Sequence, residues 1–300
     1  MELLCSCPCY VDVVKIEIDF HADFREIVES TLRKNDVAVD ASESYNDAVY
    51  RYYANVRRRV AALQYKVLEA AGLTCPADLA TGYSQLKAEL ENGYDVTSRL
   101  SRKMPNATFE DRMLNDWGIV HFHLGERDAH GGVPGTKIVL FALVRDETVY
   151  AIGFFDHKSW SNIEVLEIVD RNWPALTKHV RVQGIAEFEL CDEDRAKLRA
   201  AGANMLNTVN GQVLAPLGGG YTMAGTSMAA HKQADRAILS VGFYQDHITR
   251  SAAEIVADLE RQGFAVSDPP RFRFGFHADG SALATEATAC ASFILGPFPR

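Results

Sequence analysis

The feature that most constrains this chain is a pair of apolar runs, Lys137 to Val144 and Val149 to Phe155, joined by the polar turn Arg145-Asp146-Glu147. Two such runs separated by a short polar turn form a β-hairpin. Their nearly unbroken apolarity predicts that both faces of the hairpin are covered. Ile119 to Leu124 reads as a further strand, and Glu126 to Gly135, with three glycines and a proline, as the loop between. The chain is therefore organised around a central antiparallel β unit, residues 116–187.

The flanks read differently. Val14, Ile16, Ile18 and Phe20 alternate with polar residues, a half-buried strand. Ala22 to Lys34 carries a helical stripe. The repeats Val49, Val56, Leu63 and Tyr53, Val60, Val67 predict a long helix from Asn46 to Ala71, stopped by Gly72. Helices are also expected from Pro76 to Asn92 and from Thr108 to Leu114. Residues 1–115 form a mainly helical N-terminal region on this reading. Ser161 and Glu164 read as a capping box for the helix that ends before Pro174. Residues 188–300 form an α/β C-terminal region: a helix from Asp192 to Ala201, a hairpin turning at Asn210-Gly211, a glycine-rich loop, a long helix from Met228 to Gln262 and a last hairpin turning at Asp279-Gly280. The fold class is α+β.

Composition narrows the function. Apolar residues make up 47% and charged residues 24%, ordinary globular usage, and the formal net charge of −9 argues against coating nucleic acid through bulk charge. There is no apolar run of the ~18 residues a membrane span needs. The opening Met-Glu-Leu-Leu lacks a basic and an apolar region of a secretory signal, so a cytoplasmic location is expected. Cys5, Cys7 and Cys9 crowd the start without a convincing fourth metal ligand, and a plain reduced terminus is the expectation.

The candidate chemistry centres on His121-Phe-His123. Alternate residues of a strand share a face, so Ile119, His121 and His123 point one way and Val120, Phe122 and Leu124 the other. His157 lies just past the second hairpin strand, where it joins them if that strand runs nearby. As polar residues at a sheet edge they need no further role. As a site they permit two chemistries. One is metal binding, with His121, His123 and His157 holding zinc or another divalent transition metal in a hydrolase or oxygenase. The other is metal-free RNA cleavage, needing no cofactor, with the histidines as acid and base, Lys137 and Arg127 as phosphate-binding cations, and Tyr150 and Trp160 stacking on bases.

The segment from Lys137 through Arg145-Asp146-Glu147 to Phe155-Asp156-His157 resembles the core of the RelE/ParE-type toxins: an apolar run, an acidic turn, an apolar run, then a histidine and an aromatic. The resemblance covers residues 116–160. It implies a small curled antiparallel sheet, an endoribonuclease activity and an antitoxin or other protein partner. Those toxins are short and very basic, whereas this chain is long and acidic. The stretch Asp116-Trp-Gly-Ile119 with His121-Phe-His123-Leu124 is also similar to one found in uncharacterised bacterial proteins, which implies no activity.

Two other segments are candidates. Gly218-Gly219-Gly220-Tyr221 to Gly225-Thr226-Ser227 precedes the long helix, where free backbone amides favour an anion, and Gly219, Gly220, Tyr221, Thr226 and Ser227 are the candidate substrate contacts. There is no Gly-Lys-Ser/Thr to make a Walker loop. Gly225-Thr-Ser227-Met-Ala is similar to the nucleophile run of subtilisin-like proteases, but convincing Asp and His blocks are missing. Arg57, Arg58 and Arg59, interleaved with tyrosines, form a basic helix face that suits nucleic acid or plain solvent. The expected function is an RNase-like toxin or defence enzyme. The alternatives are a metal-dependent hydrolase or oxygenase, and a non-enzymatic interaction protein using its long helices.

Overall fold

The computed structural model describes residues 15–299; the Cys5, Cys7 and Cys9 group lies outside the described residues. In chain order the elements are β1 (Glu17–Ile18), α1 (Phe20–Lys34), α2 (Tyr45–Arg57), β2 (Lys66–Glu69), α3 (Ala80–Glu91), α4 (Arg112–Trp117), β3 (Ile119–His123), β4 (Ile138–Arg145), β5 (Thr148–Asp156), α5 (Glu164–Asn172), α6 (Pro174–Lys178), α7 (Asp192–Ala200), β6 (Asn207–Val209), β7 (Gln212–Leu214), α8 (Met228–Arg261), β8 (Arg271–Phe276), β9 (Ala282–Glu286) and β10 (Ala291–Gly296). The fold is α+β with a long helix near the C-terminus. No helix among the described residues is long and apolar enough to cross a membrane.

The described residues divide into two compact units. One comprises the described residues up to Thr31, Ala41–Val49 and the described residues from Gln233 onward; the other comprises Leu32–Asp40 and Tyr50–Lys232. The first holds a sheet of order β1-β8-β9-β10, in which β1 runs parallel to β8. The C-terminal segment is thus three strands, not one hairpin. Phe20 and Phe24 of α1 pack with Phe274 of β8, their ring centroids 5.5 and 6.0 Å from it.

The second unit is built on a sheet of order β2-β5-β4-β3. Its β4–β5 hairpin is the one the apolar runs predict. Both faces are covered. Val120, Phe122, Leu140, Ala142 and Ala151 pack with Leu86 and Leu90 of α3. Ile119, Val139, Phe141, Leu143 and Ile152 pack with Val165, Leu166 and Val169 of α5. A bulge interrupts the hairpin: Phe141 pairs with Gly153 and Ala142 with Ala151, leaving Ile152 as the extra residue. A bulge shifts the in–out alternation of everything beyond it. Ile152 and Phe155 therefore share the face of Ile119, and His157 follows on that side.

The single helix expected over Asn46–Ala71 is instead α2, an irregular link and the edge strand β2, which pairs parallel with β5 from Lys66 to Glu69. Pairing with the sheet overrides local helix propensity, which is a weak prior. The heptad row fails accordingly: Val56 and Leu63 are exposed. Asn162, not Ser161, bonds the start of α5, its Oδ1 accepting the Glu164 N–H at 2.9 Å. Asn210 and Gly211 take positive φ of 48° and 75° in the β6–β7 turn, as a two-residue hairpin loop requires.

Gly218 is pressed against the turn that ends α4. A Cβ there would collide with the Leu114 carbonyl oxygen and stand 2.5 Å from the Gly118 nitrogen. Gly218→Ala should therefore destabilise this unit by roughly 3 kcal/mol, the upper range for forcing an extra carbon into a packed interior. Urea denaturation followed by tryptophan fluorescence tests this; an unchanged midpoint would show that the two segments separate freely.

Candidate functional site

His121 and His123 lie on β3 opposite Phe141 and Val139 of β4. Val139 in turn pairs with Phe155 of β5, so His157 follows two residues beyond that cross-strand row. The three imidazoles meet. Ring centroids are 5.6 Å apart for His121 and His123, 5.9 Å for His121 and His157, and 5.5 Å for His123 and His157. Trp160, on a short 3-10 turn at Ser159–Ser161, stands edge-on to His121 at 4.8 Å and leans on Phe141 at 5.2 Å. All four side chains line one cavity of about 1190 Å³.

The peptide of Thr136 fixes two of the rings. Its N–H donates to His123 Nδ1 at 3.0 Å. Its carbonyl lies 3.1 Å from His157 Nε2. A carbonyl only accepts, so His157 Nε2 carries a proton and its Nδ1 is left with a lone pair in the neutral ring. An N–H only donates, so His123 Nδ1 is unprotonated and its Nε2 bears the hydrogen. The Thr136 side chain holds this peptide in place: Oγ1 donates to the Ile138 carbonyl at 2.5 Å and accepts from the Leu124 N–H at 3.2 Å. Sequence reasoning passed over Thr136. A threonine at the end of a Gly/Pro loop carries no signal of this role.

Burial dominates the ionisation of the two strand histidines. It pushes His121 down to about 3, with help from the neighbouring His123 and His157. Burial also lowers His123, reinforced by repulsion from His157 and Arg102. The N–H aimed at His123 Nδ1 needs that nitrogen's lone pair, which also favours the neutral ring. His121 makes no hydrogen bond among the described residues, so its nitrogens face the cavity uncommitted.

The cations at this cavity differ from those expected. Arg102, Lys103 and Arg112 line it. A Cβ at Gly135 would stand 3.8 Å from both Arg102 Nη2 and His123 Cε1, which puts this guanidinium beside the ring. Arg199, also on the wall, is buried and paired with Asp116 at 2.8 Å, its guanidinium 4.0 Å above the Trp117 ring. The pair Arg102-Lys103 lies in a turn that no periodicity marks in the sequence.

Arg127 is committed elsewhere. It pairs with Glu89 at 2.8 Å and donates to the Gly131 carbonyl, while buried Arg99 pairs with the same carboxylate at 2.5 Å. Despite the cost of its burial, the two guanidiniums hold the Glu89 carboxyl down at about 2. Arg127→Ala should cost about 2 kcal/mol of stability, less than the 3–5 kcal/mol for breaking a wholly buried pair because Arg99 remains. Urea denaturation followed by tryptophan fluorescence reads the loss; an unchanged midpoint would show that Arg127 does not help to hold Glu89.

The other candidates are not brought to the cavity. Lys137 is exposed at the foot of β4 and outside the lining. Tyr150 packs on Trp173 at 5.1 Å. The glycine-rich segment is bonded into the protein rather than open to an anion. The Gly218, Gly219 and Gly220 amides donate to the carbonyls of Asp116, Pro216 and Asn115. The Tyr221 amide donates to Asn204 Oδ1, and its hydroxyl to the Arg112 carbonyl at 2.6 Å. Thr226 Oγ1 bonds Thr222 and His231. Ser227 is buried and accepts from Arg57 at 3.0 Å, so it is no exposed nucleophile. Arg57, Arg58 and Arg59 do not form a nucleic-acid face. Arg57 donates to the Leu114 and Gly218 carbonyls, Arg58 to those of Asn106 and Phe109, and Arg59 to that of Asn35.

The ring protonation also bears on metal. His123 offers a protonated Nε2 and an occupied Nδ1, neither of which is a free ligand atom. Among the described residues no group of three or more His, Cys, Asp or Glu side chains is placed to hold a metal ion. In comparisons with known proteins, no family model, curated protein or solved structure matches this chain.

Proposed function

We propose that this protein is an RNase-like enzyme of the toxin or defence type, cleaving RNA at the cavity bordered by His121, His123 and His157. The observation that carries the reading is the Thr136 peptide, which presents one imidazole lone pair and one imidazole N–H at a cavity edged by Arg102, Lys103 and Arg112. Metal-free phosphodiester cleavage needs those parts: a base for the 2′-hydroxyl, a donor to the phosphoryl oxygens and cations for the charge.

His157 Nδ1 is the base, because its other nitrogen is bound to a carbonyl. His123 Nε2–H is the donor to the phosphoryl oxygen. His121, neutral at any pH near 7, adds a second uncharged hydrogen-bonding group and is not an acid there. Arg102 and Lys103 replace Arg127 and Lys137 as the phosphate contacts. The leaving oxygen takes its proton from water, because burial disfavours the imidazolium form of His121 and His123.

The test is incubation of the purified chain with a single-stranded RNA and the DNA of the same sequence, both in excess EDTA. Cleavage of RNA alone, leaving 2′,3′-cyclic ends, supports the reading. Activity that needs a divalent ion, or acts equally on DNA, would replace it with metal-assisted hydrolysis.

A further inference from the structure

The outer face of α8 has a pattern that the cavity does not explain. Leu239 and Phe243 are 73% and 63% exposed, one helical turn apart. Arg236 precedes them and Asp246 follows, both exposed, at the spacing 236, 239, 243, 246 that forms one continuous stripe on a helix. Beside that stripe lie exposed Asp235, His247 and Arg250. None of these five charged or titratable side chains makes a hydrogen bond or ion pair among the described residues.

We infer that this stripe of α8 is a self-association surface that pairs with the same stripe of a second copy in antiparallel fashion. The occupant follows from the order of charges. A twofold axis at the level of Val241 puts Leu239 against Phe243 of the second copy, and Arg236 against Asp246. It also brings Asp235 level with His247 and one turn from Arg250. The surface is its own complement, as an isologous dimer requires. Parallel pairing would set Arg236 on Arg236 and Asp246 on Asp246, which is repulsive. Lys232 and Arg250 meet as like charges, but at the two ends of the contact, where solvent screens them most. With two apolar side chains per copy at its centre, the contact belongs to the weak class, with a dissociation constant in the micromolar range, roughly 1–100 µM.

Sedimentation equilibrium of the full chain over about 1 to 300 µM tests this. A reversible monomer–dimer equilibrium is expected. Leu239→Glu with Phe243→Glu should abolish it with helix content intact by circular dichroism, since both positions are exposed. Asp246→Arg alone should weaken it by roughly tenfold or more by placing Arg236 against a cation, and the swap Arg236→Asp with Asp246→Arg should restore it. A monomer throughout the range overturns the inference, as does a dimer indifferent to the Glu pair. A single reversal without effect, or a swap that fails to restore pairing, overturns the antiparallel register.

Discussion

RNA cleavage should fall by roughly a hundredfold to ten-thousandfold in His157→Ala, the range over which a positioned general base contributes. The fold should be unaffected, because His157 is exposed and its one hydrogen bond among the described residues is to the Thr136 carbonyl. Two companions separate the roles. His123→Ala removes the Nε2–H and the acceptor for the Thr136 N–H, so kcat should fall and Thr136 should loosen. His123→Gln keeps a donor and an acceptor on one side chain and should recover part of the rate. His157→Gln keeps a donor for the Thr136 carbonyl but supplies no base, so it should remain as slow as the alanine variant. Steady-state kinetics on a short RNA, with thermal denaturation of each variant, makes the comparison. Full activity in both His157 variants would remove His157 as the base and overturn the proposed division of roles.

The core of this site was legible in the sequence because it rests on period two. Alternation on Ile119 to Leu124 put His121 and His123 on one face, and the structure places them with Ile119, opposite Phe141 and Val139. His157 was reachable only by assuming that the strand before it runs nearby. That it shares the face depends on the bulge at Ile152, which corrects the parity of the residues beyond. Gly153, beside the bulge, makes room for the Phe155 ring: a Cβ there would come within 2.5 Å of it. A lone glycine in a strand hints at a bulge without fixing which neighbour is extra. The arginines were misread for another reason. Arg57, Arg58 and Arg59 look like a solvated row, yet they donate to backbone carbonyls that belong to residues far along the chain, such as Leu114, Phe109 and Asn35. Local sequence holds no trace of which carbonyls go unpaired. The same is true of Arg127, whose partner Glu89 is on α3. Discontinuous units compound the difficulty, because β2 comes from a region read as helix and completes a sheet whose other strands lie 50 or more residues later.

Acid should weaken the unit that carries the site in two separable steps, and His121 should set the first. An unfolded chain protonates this histidine near 6.5, whereas burial holds the folded ring neutral down to about 3. Between those values the unfolded state binds more protons, so stability is complete above about pH 6.5 and is lost as pH falls toward 3. At 1.36 kcal/mol per unit the span corresponds to about 5 kcal/mol, and because part of it is repulsion shared among three rings, roughly 3–4 kcal/mol belongs to His121 alone. His123, lowered by burial and by His157, acts in the same direction. Glu89 enters later. Its folded carboxyl is held at about 2, so its contribution is complete above about pH 4.5 and is lost as pH falls through 2. Between pH 6.5 and 4.5 the imidazoles therefore act without it. Trp117, Trp160 and Trp173 all lie in this unit, so tryptophan fluorescence reports on its unfolding specifically. Urea titrations at pH 7.5, 6, 5 and 4.5 should show the wild type losing about 2–3 kcal/mol over the series. His121→Phe, which keeps a ring against Trp160 and Phe141, should lose clearly less, and Glu89→Gln should run parallel to the wild type down to pH 4.5 from a lower start. If the His121→Phe curve parallels the wild type instead, His121 is solvated when folded. Its neutral-ring role in the cleavage scheme then falls with it, while the assignment of His157 as base stands.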